Sequence, residues 1–352
     1  MKLDAHVNFA EIDVENMYGE IEGLPDQLDA AWRQAGELPL PLMEGIRNIL
    51  VSGVGGSAIG ADLVASYVIA ECPVPIVIHR DYGLPAWAKG AETLVVASSH
   101  SGNTEETLST FEAALQRGCR TLAICTGGKL AEMARAAQQP VWHFAHQGMP
   151  RAAVGFSSIY FLAALCRLGL VSVSDDMLYR VTDEMRRVRE ALAKAIPIAK
   201  NPAKQLAEQL YGRWAIVIGS GYLAPVARRW KGQFNELAKA WGQFEFLPEA
   251  DHNTLAGIQV PKDKLAQCMT LFLVSASDHP RNRLRAEFTR DYFKSAGMGV
   301  NMIAAWGNDP LSHIWSTLYF GDFVAYYLAM CYDIDPTPIT VMENLKAALK
   351  KL

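Results

Sequence analysis

Cysteine is scarce, at six residues in 352, and no two of them form a C-x-x-C pair. The scatter supports neither a disulfide framework nor a zinc cage. Long hydrophobic runs are missing too. Apolar stretches include short strand-like pieces such as residues 215–218 and 271–274, and none approaches the roughly 20 residues of a membrane helix. The opening MKLDAHVNFAE carries acids where a secretory leader would be apolar. No block of like charge occurs, and 33 basic against 37 acidic residues leave a formal charge of −4. A nucleic-acid surface is therefore not expected. Nothing is low-complexity, and half of the residues are hydrophobic, so the chain has what it needs to bury a core. These absences predict a cytoplasmic, reduced, soluble α/β protein with no membrane or nucleic-acid partner.

What is present is a weak internal repeat. Residues 49–66, ILVSGVGGSAIGADLVAS, read as a buried strand, a glycine turn and a helix start; residues 214–231, WAIVIGSGYLAPVARRWK, repeat that order. Each copy is followed by a second strand, Thr93 to Ala97 before SSHSGNTEE and Leu271 to Val274 before SASDHPRN. A third follows, Arg120 to Cys125 before TGGKL and Val300 to Ala304 before AWGNDPL. Short apolar strands alternating with helices predict parallel β-sheets sandwiched between α-helices, in two domains related by duplication. The expected divisions are 22–170, a helical connection at 171–210, a second domain at 211–335 and a last helix in 336–352. Asn201-Pro202 predicts the start of a helix through Leu210.

Four groups of residues could carry chemistry. In GVGGSAIG, the residues Gly53, Gly55 and Ala58 fit G-x-G-x-x-A, with Asp81 as the acid a dinucleotide site wants. The same glycines also serve simply to turn a strand into a helix. Gly56 and Ser57 could hold an anion on bare N–H groups at the helix start. SSHSGNTEET clusters the hydroxyls of Ser99, Ser101 and Thr104 around Gly102 at another helix start. That is a cradle for a phosphate monoester, although Ser or Thr before two glutamates is also an ordinary cap. Glu236, inside a helical pattern, and His252, in a loop after Pro248, would suit acid–base work if both lie near the mouth of a sheet. A solvent-facing glutamate and a loop histidine would look the same. Arg151, in GMPRAAVGFS, either pairs locally or holds negative charge on a substrate. The histidines at 79, 100, 143, 146, 279 and 313 show no ligand spacing, and no metal site is expected.

Taken together, GVGGSAIG, SSHSGNTEET, PRAAVGFS, FNELAK, EADHN and the late ENLK resemble the sugar isomerase (SIS) superfamily. Within it the chain is similar to the bifunctional phosphoglucose/phosphomannose isomerase group. The resemblance spans both domains and implies two SIS domains. It further implies interconversion of glucose 6-phosphate and mannose 6-phosphate with fructose 6-phosphate through an enediolate, without metal or cofactor. By the same resemblance Ser57, Ser99, Ser101 and Thr104, with Gly56, would hold the phosphate. Glu236 would move the proton between C1 and C2, His252 would assist ring opening, Lys346 would sit near the ring oxygen and Arg151 would steady the enediolate. A homodimer in which the histidine reaches the neighbouring site is implied as well. The residue beside C2 stays open between Thr337 and Thr340, and residues before about 20 have no implied role. The competing readings are a non-catalytic sugar-phosphate sensor, an SIS isomerase of another sugar phosphate, and a nucleotide-dependent oxidoreductase built on the twin glycine turns.

Overall fold

In a computed structural model the described residues are Leu3, 8–41 and 43–349. They form two compact units, one of residues 23–186 with 307–314 and one of residues 1–22, 187–306 and 315–352. No helix of the described residues is long and apolar enough to cross a membrane.

The first unit is built on five parallel strands in the order β2-β1-β3-β4-β5. They are β1 (Asn48–Ser52), β2 (Ile76–His79), β3 (Thr93–Ser99), β4 (Arg120–Cys125) and β5 (Val141–His143). Every residue of the central strand β3 is buried, whereas none of edge strand β2 is fully so. That gradient is what a sheet covered on both faces requires. The register pairs Ile49 with Ile76 on one side and with Leu94 on the other. Below the sheet, Phe111 and Leu130 pack with Ala97 and Ala123. Helix Val154–Arg167 is buried along Val154 to Leu165, so its sequence is apolar on all sides. It lies close to helix Gly56–Val68: a Cβ on Gly60 would sit 2.5 Å from Ser157 Oγ.

The second unit has four parallel strands in the order β7-β6-β8-β9. These are β6 (Trp214–Ser220), β7 (Gly242–Leu247), β8 (Cys268–Val274) and β9 (Gly299–Ala304). Both sheets thus run outward from their first strand to the second, then return to the other side of the first. The two strand orders are the same for the first four strands, as the repeat predicts. Helix Ala224–Glu236 is held to helix Pro310–Tyr332 by a buried pair, with Arg229 Nη2 donating to Asp322 Oδ2 at 2.8 Å. Trp230 Nε1 donates to the Thr317 carbonyl at 3.0 Å. Gly321 leaves room for that indole, since a Cβ there would lie 2.1 Å from Trp230 Nε1.

The segment before residue 23 has a structural role that sequence did not assign. Asp13 accepts from the backbone N–H groups of Met17 and Tyr18 at 2.7 and 2.9 Å and from the Tyr326 hydroxyl at 3.1 Å. Phe9 stacks on Tyr326, and Tyr18 meets Phe323 edge to face. Burial and the neighbouring Asp13 push the Tyr326 phenol far above its ordinary range, so it is a permanent donor in this cluster. The final helix runs over Thr340–Leu349, and the expected continuation to Lys350 lies outside the described residues.

Candidate active site

In the first unit the strand order changes direction between β1 and β3, and the carboxyl ends of the strands at such a point are where sheets of this kind bind ligands. Three helices begin there: Gly56–Val68 after β1, Glu105–Gln116 after β3 and Gly128–Ala136 after β4. None of their first turns is closed by a side chain from its N-cap residue, because two caps are Gly55 and Gly127 and the third, Thr104, makes no capping bond. Thr104 Oγ1 instead lies 2.9 Å from Ser99 Oγ. The Thr104 hydroxyl thus meets its neighbour and makes no capping bond to the helix. Ser57 Oγ accepts from the His100 backbone N–H at 3.2 Å, and Ser101 Oγ accepts from Asn103 N at 3.2 Å. The resulting cluster is Gly56, Ser57, Ser99, Ser101 and Thr104 around Gly102. It presents hydroxyls at the positive ends of helices, an arrangement suited to an oxyanion.

Two features of this turn were not read from the sequence. The TGGKL segment braces it: Thr126 Oγ1 donates to the His100 carbonyl at 2.6 Å, and Asn103 Oδ1 accepts from Lys129 N at 3.1 Å. Gly102 has φ +66, and a Cβ there would lie 1.8 Å from the Gly127 carbonyl oxygen. The paired glycines after the third strand were the available signal. His100 also pairs through its ring, Nε2 to His146 Nδ1 at 2.9 Å, so one imidazole donates and the other accepts. Arg151 is buried in a single turn, Pro150–Ala153, ahead of helix Val154–Arg167. This turn abuts the start of helix Gly56–Val68, where a Cβ on Gly56 would be 3.2 Å from Arg151 Cα. The structure therefore gathers Arg151 and the five cradle residues at one edge of one sheet. Burial pushes the nearby Cys125 thiol up, which disfavours the thiolate a nucleophilic cysteine needs. Asp81 accepts from Tyr82 N at 2.7 Å and closes a local turn.

Glu236, His252 and Lys346 belong to the second unit. Glu236 ends helix Ala224–Glu236 and is half-buried; His252 ends the turn Glu249–His252 and is exposed; Lys346 is exposed on the last helix. Glu236 and His252 do not share a mouth of the sheet. The helix returns antiparallel from β6, so Glu236 reaches the edge where β7 starts, whereas His252 follows the end of β7. A six-residue strand lies between them, roughly 20 Å of extended chain. A cavity of this unit, about 760 Å3, opens at the starting edge between Trp214, Trp241 and Tyr332, and none of the three residues lines it.

The second unit's own turn after β8 is filled from within. Asp278 Oδ2 accepts from Ser275 N at 2.7 Å, and its Oδ1 accepts from the Ser220 hydroxyl at 3.1 Å. The following helix, Pro280–Ser295, starts with a residue that has no N–H and is capped by His279 Nδ1 accepting from Arg281 N. The Asp278 carboxylate thus takes a backbone N–H and a hydroxyl of this turn as its own partners. Among the described residues no group of three or more His, Cys, Asp or Glu side chains could hold a metal ion.

Comparison with known proteins adds to this geometry. Residues 199–349 match the family described as bacterial phospho-glucose isomerase C-terminal SIS domain. A bifunctional phosphoglucose/phosphomannose isomerase of Caldicellulosiruptor bescii is 37% identical over 338 residues, covering 96% of this chain and 99% of the relative. The protein of the same description from Aquifex aeolicus is 30% identical over 339 residues, with 96% and 99% covered. Among solved structures, a hypothetical protein from Thermus thermophilus shares the fold with a TM-score of 0.74 at 15% identity, over 96% of this chain and 91% of that one.

Proposed function

We infer the reaction from one premise: the chain belongs to the bifunctional phosphoglucose/phosphomannose isomerase family. Its reading is an aldose–ketose isomerase that interconverts glucose 6-phosphate and mannose 6-phosphate with fructose 6-phosphate. The observation that carries it is the uncapped, hydroxyl-lined turn at Ser57, Ser99, Ser101 and Thr104, with Gly56 supplying backbone close to Arg151. A phosphate dianion anchored there does no chemistry; its binding energy holds the sugar carbons in place.

The proposed sequence starts with ring opening, in which His252 moves a proton between the ring oxygen and the anomeric hydroxyl, with Lys346 near the ring oxygen. Glu236, as carboxylate, then removes the C2 proton of the open aldose. The electron pair moves through the C1–C2 bond onto the carbonyl oxygen and forms an enediolate, whose negative charge Arg151 steadies. The same carboxyl group returns the proton to C1 while the proton of the C2 hydroxyl passes to the C1 oxygen, which leaves a carbonyl at C2 and yields the ketose. Return to either face of C2 in the reverse direction gives both aldoses. Arg151 carries a fixed charge, so the reading includes no metal; unchanged turnover in the presence of a chelator would support it.

The roughly 20 Å of strand between Glu236 and His252 favours a homodimer in which the histidine of a second copy serves this chain's substrate. The apolar residues Val341, Met342, Leu345 and Leu349, all exposed on the last helix, give such a copy a surface to cover. All six cysteines are free thiols, in keeping with a reducing, cytoplasmic compartment. The test is Glu236→Gln. Interconversion and exchange of the C2 hydrogen with solvent should fall by about 10³-fold while sugar-phosphate binding persists. Near-normal turnover in that variant would refute the assignment and leave a binding protein or a different base.

A further inference from the structure

His252 is exposed on a short turn, and among the described residues its ring has no hydrogen-bond partner. Proton transfer needs donor and acceptor held in a narrow range of geometry, so something other than the ring's own bonds must aim it. The residue before it is anchored where His252 is not. The Asp251 side chain is only 9% exposed, and each of its oxygens is taken by a different donor. Oδ1 accepts from Thr289 Oγ1 at 2.7 Å, and Oδ2 accepts from Arg285 Nη1 at 3.0 Å.

Arg285 and Thr289 lie one turn apart on helix Pro280–Ser295, so they face the same way. The carboxylate is gripped at two points by one rigid element. Behind His252 a second stitch closes the loop: Asn253 Nδ2 donates to Glu249 Oε1 at 3.0 Å, and Asn253 Oδ1 accepts from Thr254 N at 2.6 Å. His252 is thus the one loose side chain between two fixed neighbours.

We propose that Asp251 is a positioning residue for ring opening: its two-point grip on Arg285 and Thr289 fixes the backbone that presents His252. This rests on the reading that His252 opens the ring. Asp251 itself touches no substrate and moves no proton.

Ring opening without isomerisation can be read as exchange between the α and β anomers of glucose 6-phosphate, measured by two-dimensional exchange NMR with purified full-length protein. Asp251→Asn and Thr289→Val should each slow enzyme-catalysed anomer exchange tenfold or more, lower kcat in step and leave KM within about twofold. Thr289→Ser, which keeps the hydroxyl, should restore wild-type exchange, and this pair remains decisive if Asp251→Asn does not fold. Glu236→Gln should keep anomer exchange while losing isomerisation. Wild-type exchange in Thr289→Val or in folded Asp251→Asn, alongside slow exchange in His252→Asn, would overturn the positioning role alone. Wild-type exchange in His252→Asn would overturn both that role and the ring-opening assignment. Slow exchange in Thr289→Ser equal to that of Thr289→Val would also overturn it, because the loss would then follow helix packing and not the hydroxyl.

Discussion

After strand β3 the turn from Ser99 to Thr104 leads into a helix whose first N–H groups no side chain of its cap residue closes; after strand β8 the turn from Ser275 to His279 fills itself with Asp278. The two turns hold the same place in sheets of the same strand order. Duplication supplied one geometry twice, and a handful of residues decided which copy stayed open. Three features mark the second turn: a buried carboxylate that accepts from Ser275 N and Ser220 Oγ, a proline that removes an N–H, and a histidine that caps the following helix. A carboxylate held by the turn's own donors stabilises the fold.

The sharpest way to break this comparison is at glycine. Gly102→Ala would place a methyl group against the Gly127 carbonyl oxygen in a left-handed backbone. The expected loss is roughly 3 kcal/mol of stability, or loss of sugar-phosphate binding, measured by thermal unfolding and titration. Gly221→Ala, in the second unit, has φ +51 but nothing within 4 Å; only the backbone cost of about 1–2 kcal/mol is expected, with KM unchanged. Next, Ser99→Ala combined with Ser101→Ala removes two hydroxyl donors from the open turn. Hydrogen bonds to charged groups contribute about 1.5–3 kcal/mol each, so KM for glucose 6-phosphate should rise by at least about 10²-fold in steady-state assays. Asp278→Asn should show the opposite profile. Denaturant unfolding should report a loss of about 1–3 kcal/mol, with kinetics on both aldose phosphates unaltered. Ser275→Ala, the smallest change, should cost about 1 kcal/mol and leave KM alone. If it raised KM as the double serine variant does, the two turns would not differ in function.

The strands and the duplication were legible because buried parallel strands write continuous apolar runs, as at residues 94–97 and 271–274. The capping ambiguity at Thr104 was not, since a hydroxyl before Glu105 and Glu106 looks alike whether it bonds the helix or Ser99. Asn201 shows the contrary case: the Asn-Pro pair announced a cap, and its Oδ1 accepts from Ala203 N and Lys204 N at 3.1 Å. Glu236 and His252, 16 residues apart, looked like neighbours at one mouth. Their separation follows from the direction in which a helix returns between parallel strands, which residue spacing does not record. The closure by Asp278 was hidden for a similar reason. SASDHPRN visibly lacks the serine set, but nothing in it says that the aspartate turns back onto Ser220.

The aromatic cluster of Phe9, Tyr18, Phe323 and Tyr326 has a consequence for how the molecule is made. Its two halves lie some three hundred positions apart in the chain, so Phe9 and Tyr18 cannot dock until the segment about three hundred residues later has been made. Until then Asp13 lacks the hydroxyl of Tyr326, and the nascent chain carries the aromatic rings of Phe9 and Tyr18 without these partners. Removing the Phe9 and Tyr18 rings should therefore injure the distant segment they cover, and chaperone dependence during expression should ease when Phe9 is replaced by a polar residue even as the finished fold weakens.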